Sequence, residues 1–314
     1  MSAPQRLDAE QVPAILVVGL ETLATRGGGL NRYVDGYLAA LREAGVVPAL
    51  AAAANDEAEV DHWLGPPSSS LLKRSLAARA VVRRSPAATV DLHFAPHAVA
   101  AVLSGALRHR HVVVHFHGPF AGELAAAGAA SWKVRIARAL ERRVYARAAR
   151  IVVLSKAFEE LLVRDYGVDA SRISVLPPGV DLERFATGAP SPHDGLRVVA
   201  VRRLQRRMGL EVAIEAMALL RERGVAASLE LIGAGPEREA LERHVHARGL
   251  GDVVRFAGFV PDEELAEHYR AADVSVVPTV ALEGFGLIVL ESMACGTPVV
   301  ASAVGGLAEV VGDF

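Results

Sequence analysis

The chain has 314 residues, 52% apolar and 22% charged, with a formal net charge of −2; that is enough apolar material for two cores of ordinary domain size, roughly 100 to 200 residues each. Aromatic residues make up only 5%, too few for base-stacking platforms, so nucleic acid is not an expected partner. The single cysteine, Cys295, rules out an intramolecular disulfide and fits small packing at a helix end. A charged N-terminus and the lack of a ~18-residue apolar run predict a cytoplasmic protein, at most peripheral at the inner membrane face.

In chain order, short apolar, β-branched runs alternate with segments of helical period. Ile15 to Gly19 precedes a helix over Leu30 to Ala44 and a strand within Val46 to Ala53; His111 to Phe116 precedes Ser131 to Ala148; Ile151 to Leu154 precedes Lys156 to Tyr166. Strands apolar at nearly every position need helices on both faces, which predicts an α/β fold with a parallel, doubly wound sheet. Prolines and glycines crowd Leu176 to Pro192, where neither a helix nor a central strand tolerates them, so the interdomain linker is expected there. Strands then resume at Leu196 to Val201, Ser228 to Ile232, Val253 to Ala257, Asp273 to Val277 and Val299 to Ala301, with helices between them such as Gly209 to Arg223. The expected domains are 1–188 and 189–314, with function on the loops at the carboxyl ends of the strands.

The segment Glu283 to Glu291 follows a strand and opens a helix. Gly284 and Gly286 permit close backbone approach, and the amides near Gly286 and Leu287 can bind a diphosphate. A carboxylate would repel that group, so Glu291 is expected to accept hydrogen bonds from ribose hydroxyls, with Glu283 facing a sugar. Arg202 and Arg203 end a strand, and Arg206 and Arg207 follow in the loop; guanidinium forks suit phosphate oxygens. Gly27, Gly28 and Gly29 precede the first helix, where amides can face phosphate or an acceptor, although the GxGxxG spacing of a dinucleotide site is absent. Gly233-Ala-Gly235 reads as a plain strand-to-helix turn. His117 closes the strand containing His115 and can hydrogen-bond a hydroxyl or carry a proton, while His115 reads as structural. The helix Ser131 to Ala148 carries six cations against Glu141, with Trp132, Ile136, Leu140 and Val144 spaced four apart. A solvated face packed on its own sheet is the ordinary reading of such a helix, and peripheral contact with an anionic membrane the alternative.

The stretch EGFGLIVLE, followed by CGTPVVAS and Val304-Gly305-Gly306, resembles the signature of the family 4 glycosyltransferases. The likeness extends along nearly the whole chain through Gly28-Gly29, HFHGPF at His115, LPPGVDLERF at Leu176, VRRL at Val201 and IGAGPERE at Ile232. The resemblance implies a GT-B fold, two Rossmann-like lobes with parallel sheets facing a central cleft. It also implies a nucleotide-sugar donor held mainly by the C-terminal lobe, an acceptor held by the N-terminal lobe, retention at the anomeric carbon, and no metal or other cofactor. In the family an arginine and a lysine neutralise the leaving diphosphate. Arg203 matches the arginine, whereas the lysine position reads Met208, so either Arg207 substitutes or one contact is missing. His117 matches the histidine beside the transferred sugar. The acceptor, a sugar, lipid-linked or other small molecule, is not specified.

Two other functions stay open at this stage. The chain stops at Phe314, earlier than the resembled family, which would suit a non-catalytic or partner-dependent protein of the same fold. A sugar-nucleotide epimerase would share the fold but release no glycoside.

Overall fold

The computed structural model describes residues 14–26, 28–188 and 192–312; Gly27 lies outside them. The chain divides into two compact units meeting between Pro177 and Pro178. This is earlier than the expected boundary after residue 188, because Phe185 already packs with Val199, Ile232 and Tyr269 of the second unit.

In the first unit the chain runs through β1 (Ile15–Glu21), α1 (Gly29–Glu43), β2 (Pro48–Ala53), β3 (His62–Trp63), α2 (Leu71–Arg84), β4 (Thr89–Leu92) and α3 (Ala95–Leu103). It continues through β5 (His111–Phe116), α4 (Phe120–Ala126), α5 (Ser131–Arg147), β6 (Arg150–Val153), α6 (Lys156–Leu161) and β7 (Ile173–Val175). The strands form one parallel sheet in the order β3-β2-β1-β4-β5-β6-β7. One large core joins strand residues such as Leu16, Val90, Val112 and Ile151 to Val82, Ala98 and Val144 from the helices, while Val34 and Leu38 of α1 pack with Val17. The strands are apolar because helices lie on both faces, as the residue pattern predicts.

Two helices differ from their expected form. The helix at Lys156 is α-helical only to Leu161; a single π-type turn carries it to Tyr166, and Gly167 at φ 69° ends it. In α5 the buried residues are Ala137, Glu141, Val144 and Tyr145, whereas Trp132 and Ile136 are 57% and 53% exposed. The apolar stripe of this helix is therefore wider than the surface its own sheet covers.

The second unit holds β8 (Leu196–Val201), α7 (Leu210–Glu222), β9 (Ala227–Ile232), α8 (Arg238–Ala247), β10 (Val254–Gly258) and α9 (Leu265–Arg270). After these come β11 (Val274–Val277), α10 (Leu287–Ala294), β12 (Val299–Ala301) and α11 (Leu307–Val311). Its sheet is parallel in the order β10-β9-β8-β11-β12.

Strand order turns around between β1 and β4 in the first sheet and between β8 and β11 in the second. At such switch points the flanking loops diverge to opposite faces and open a crevice, which is where doubly wound sheets bind ligands. The loops after β1, β8 and β11 carry most of the candidate residues, and His117 follows β5, the neighbour of β4. Among the described residues, no helix is long and apolar enough to cross a membrane.

Candidate active site

In the second unit, the loop after β8 brings Arg202 to Met208 beside the loop after β11, Pro278 to Gly286. Two close-packed glycines of the turn after β9 shape the arginine loop. A Cβ on Gly233 would lie 2.0 Å from the Arg202 carbonyl oxygen, and one on Gly235 would lie 2.2 Å from that of Leu204. The turn that reads as ordinary thus presses on the arginine loop and shapes it. Gly209, at φ 66°, similarly meets the Pro278 carbonyl.

The four arginines separate into different roles. Arg202 is buried, and its guanidinium reaches both the Glu283 carboxylate and the Thr279 hydroxyl. Arg207 donates from Nη1 to the Leu282 carbonyl at 3.0 Å. Among the described residues Leu282 is the non-glycine residue with positive φ, 58°, a conformation that costs a side-chain-bearing residue free energy and needs outside support. Arg203 and Arg206 are exposed. Met208, at the expected cation position, is buried.

Both side-chain contacts of Glu283 fall on Oε2, from Arg202 and from Thr279. Its backbone is fixed as well: the Gly306 amide donates to the Glu283 carbonyl at 3.0 Å. A Cβ on Gly305 would lie 2.2 Å from that same oxygen, and one on Gly306 would lie 2.2 Å from the Gly284 carbonyl. Val304-Gly305-Gly306 is therefore a clamp on the turn, and its glycines serve packing. Gly286, at φ 92°, is the N-cap of α10, which has neither a side-chain cap nor an acid in its first turn. The helix opening at Leu287 presents backbone amide polarity without a competing carboxylate. Glu291, one turn further in, is buried and accepts a hydrogen bond from the Tyr269 hydroxyl on Oε2 at 3.3 Å.

In the first unit, Gly28 at φ 139° is the N-cap of α1, again with no side-chain cap and no acid in the first turn. The Asn31 amide donates to the Arg26 carbonyl at 2.9 Å, and Thr25 donates to Glu59 at 2.9 Å, which ties down the loop after β1. A Cβ on Gly29 would meet nothing within 4 Å. Packing does not demand a glycine there.

The loop after β4 and the end of β5 build a cluster under α1. His93 Nδ1 lies 3.2 Å from His117 Nε2. The His93 and His115 rings stack with centroids 4.1 Å apart, the Tyr33 hydroxyl lies 3.1 Å from His115 Nδ1, and Tyr37 donates to Asp91. Burial pushes His117 down to about 3 and His115 down to about 4, and it lowers His93 further than its two histidine neighbours do. Burial, helped by Asp91, raises the Tyr33 hydroxyl to about 12. These imidazoles are neutral near pH 7, so each ring carries one donor and one acceptor nitrogen.

Comparison with known proteins bears on both units. A profile described as Glycosyltransferase Family 4 matches residues 27–184, half of the chain, and one described as Glycosyl transferases group 1 matches residues 183–314. The chain belongs to glycosyltransferase family 4. Among curated proteins it is similar to the D-inositol 3-phosphate glycosyltransferase of Paenarthrobacter aurescens, 39% identical over 55% of this chain and 45% of that one. It is also similar to the enzyme of the same name from Geodermatophilus obscurus, 41% identical over 55% and 42%. Each match thus spans less than half of the relative's length. The sucrose-phosphate synthase of Thermosynechococcus elongatus superposes with a TM-score of 0.79 and 26% identity over 95% of this chain and 83% of that structure. HepE of Anabaena, solved with UDP and glucose, shares the fold with a TM-score of 0.74 and 21% identity over 94% and 83%. The fold of this family 4 chain is GT-B.

Of the residues expected from sequence, Arg203, Arg207, Glu283, Gly286, Leu287 and Glu291 lie on the two loops and the helix at the second switch point, and Gly28, Gly29 and His117 lie at the strand ends of the first unit. Sequence reasoning gave Arg202 no role distinct from its neighbours and missed Thr279, His93, Tyr33, Tyr37 and Asp91. A signal existed for one pair: Tyr33 and Tyr37 are spaced i, i+4 on a helix and so share a face.

Proposed function

We propose that this chain transfers a sugar from a nucleotide diphosphate sugar to a hydroxyl acceptor, with retention at the anomeric carbon and without a metal or other cofactor. The observation that carries this reading is the joint placement, at one switch point, of the Arg203–Arg207 loop, the uncapped α10 N-terminus at Gly286 and the carboxylates of Glu283 and Glu291. The charge that grows during transfer sits on the departing diphosphate. Arg203 and the Gly286–Leu287 amides neutralise it where fixed dipoles in a partly buried site act most strongly. Arg207 supports the same loop by holding Leu282, and its cationic charge adds to the local field. Glu291 accepts from ribose hydroxyls. Glu283 accepts from the transferred sugar through Oε1, and the His117 imidazole is the first unit's hydrogen-bonding partner for a substrate hydroxyl.

The acceptor is met by the first unit at the Gly28–Gly29 helix start, whose amides suit an anionic group. The curated relatives are named for D-inositol 3-phosphate, which makes a phosphorylated polyol the first acceptor to offer. Retention follows the family's front-face route, in which the acceptor oxygen attacks from the side the diphosphate leaves.

The test incubates the purified chain with UDP-, GDP-, ADP- and dTDP-glucose in EDTA, with and without an inositol phosphate, and reads products by NMR. Formation of a glycoside whose anomeric configuration equals that of the donor supports the proposal. An inverted product overturns retention, dependence on added divalent metal overturns metal independence, and an epimerised sugar nucleotide without glycoside identifies an epimerase instead.

A further inference from the structure

An apolar concavity lies among the helices of the first unit. α2, α3 and α5 leave between them a groove of about 670 Å³, lined mainly by Leu71, Leu72, Leu76, Leu103, Trp132 and Ile136. Five of these are among the most exposed large apolar side chains of the unit: Leu72 is 69% exposed, Leu76 45%, Leu103 58%, Trp132 57% and Ile136 53%. Isolated apolar residues on a surface need no explanation, but a contiguous lined groove of them marks a binding surface.

The surroundings of the groove give the chemistry of its occupant. Arg79 and Lys133 line it, and the exposed Arg83 follows Arg79 by one turn on the same face of α2. The lining carboxylate, Glu141, is buried and turned inward, accepting from the Phe120 and Ala121 amides at 2.8 and 3.1 Å and from the Tyr166 hydroxyl at 2.8 Å. An apolar trough with a cationic rim fits an anionic amphiphile: hydrocarbon in the trough and a phosphate among the guanidiniums and ammoniums. A second copy of the chain fits less well, since an isologous dimer would set this basic rim against itself.

We infer that the α2–α3–α5 groove docks the chain on an anionic phospholipid bilayer by taking up an acyl chain, with the basic rim on the headgroups. Membrane contact then comes from an apolar groove shared by three helices rather than from the basic face of α5 alone. The inference does not depend on sugar transfer, and its test reads binding only.

The chain contains two tryptophans, so Trp63→Phe leaves Trp132 as the only indole, at the rim of the groove. This variant is mixed with vesicles of phosphatidylcholine, and with vesicles in which 30% of the lipid is phosphatidylglycerol, each prepared with acyl chains brominated near their midpoint. The expected result is Trp132 quenching on the anionic vesicles, weakened at 0.5 M NaCl. Co-sedimentation should fall at least 10-fold in Leu72→Glu and Ile136→Glu, two exposed positions whose substitution leaves the fold intact by circular dichroism. Absence of binding to anionic vesicles overturns the inference. Binding without Trp132 quenching, or binding indifferent to both glutamates, places contact on the basic surface and also overturns it. A concentration-dependent dimer dissolved by Ile136→Glu, with no vesicle binding, assigns the groove to a second copy.

Discussion

The guanidinium of Arg202, at the end of β8, is paired with the carboxylate of Glu283 in the loop after β11, with Thr279 joining both. The two strands are neighbours in the sheet, so the ion pair bridges the switch point from beneath. Arg202 is buried and the Glu283 side chain is 15% exposed, and removing one partner of such a pair leaves a charge without its counterion. Arg202→Ala is expected to lower unfolding free energy by about 3 kcal/mol. The Arg202→Ala, Glu283→Ala double variant should lose less than the sum of the single losses, by at least about 1 kcal/mol. Urea unfolding of the four proteins measures this coupling, and strict additivity would remove Arg202 as the support of Glu283.

Two glycine substitutions should behave in opposite ways. Gly305→Ala puts a methyl group 2.2 Å from the Glu283 carbonyl at a φ of 54°, so it should cost about 1–3 kcal/mol of stability and displace the Glu283 turn. Gly29→Ala meets open space in the first turn of a helix, where alanine is the better helix former, and should leave stability unchanged or raise it by up to about 1 kcal/mol. Loss of acceptor use by Gly29→Ala with intact stability would mark that backbone as a ligand contact. Unchanged acceptor use would remove it from the site.

His93 sets the tautomer of His117. His93 Nε2 is buried without a hydrogen-bond partner among the described residues, and an orphaned N–H is rarer than an orphaned acceptor. The proton of His93 therefore belongs on Nδ1, donated to His117 Nε2, which leaves the His117 proton on Nδ1. Nitrogen-15 chemical shifts at pH 7 should report the Nδ1–H form for His117, reverting in His93→Phe to the Nε2–H form common in free imidazole. A roughly 10-fold loss of kcat in that variant is expected to accompany the reversal. An Nε2–H assignment in the wild-type protein would contradict the arrangement.

Histidine burial also gives the protein a defined acid sensitivity. His97 is fully buried, its Nδ1 lies 2.9 Å from the Gly19 carbonyl, and burial lowers it to about 4 from an ordinary value of 6.5. Between those values the unfolded chain takes up a proton that the folded chain refuses. The stability conferred by neutral His97 is thus complete above about pH 6.5 and is lost as the pH falls toward 4. Between pH 7.5 and 5.0 the wild-type chain should lose up to about 2 kcal/mol more than His97→Asn. Comparing the two proteins cancels the opposing contribution of other buried groups such as Asp91. Equal losses would show that His97 titrates normally.

Much of this architecture was legible in the residues because its strands are apolar on both faces. His111–Phe116, Leu196–Val201 and Val299–Ala301 have their expected bounds, and the family signature located the loop residues of the second unit. The short strands β3, β4 and β7 were missed. β4 is four residues long and carries Asp91, which breaks the apolar run although it is buried in the fold. Nor could sequence separate Arg202 from Arg203. One turns inward to Glu283 and the other outward, and the difference rests on the pairing of β8 with β11, a contact between residues about eighty positions apart. The His93–His117 contact is hidden in the same way, joining the ends of neighbouring strands. Cladding of α5 was misjudged because periodicity reveals an apolar stripe but not whether anything covers it.

The central claim, that the β8 and β11 loops hold a nucleotide diphosphate, is tested most directly by calorimetric titration. The full chain is titrated in EDTA with UDP, GDP, ADP and dTDP beside Arg203→Ala and Glu291→Gln. Selective binding of one nucleotide, weakened about 10- to 100-fold by each substitution, is the expected result. A well-folded wild-type chain that binds none of the four, or binds one equally well in all three proteins, would contradict the claim.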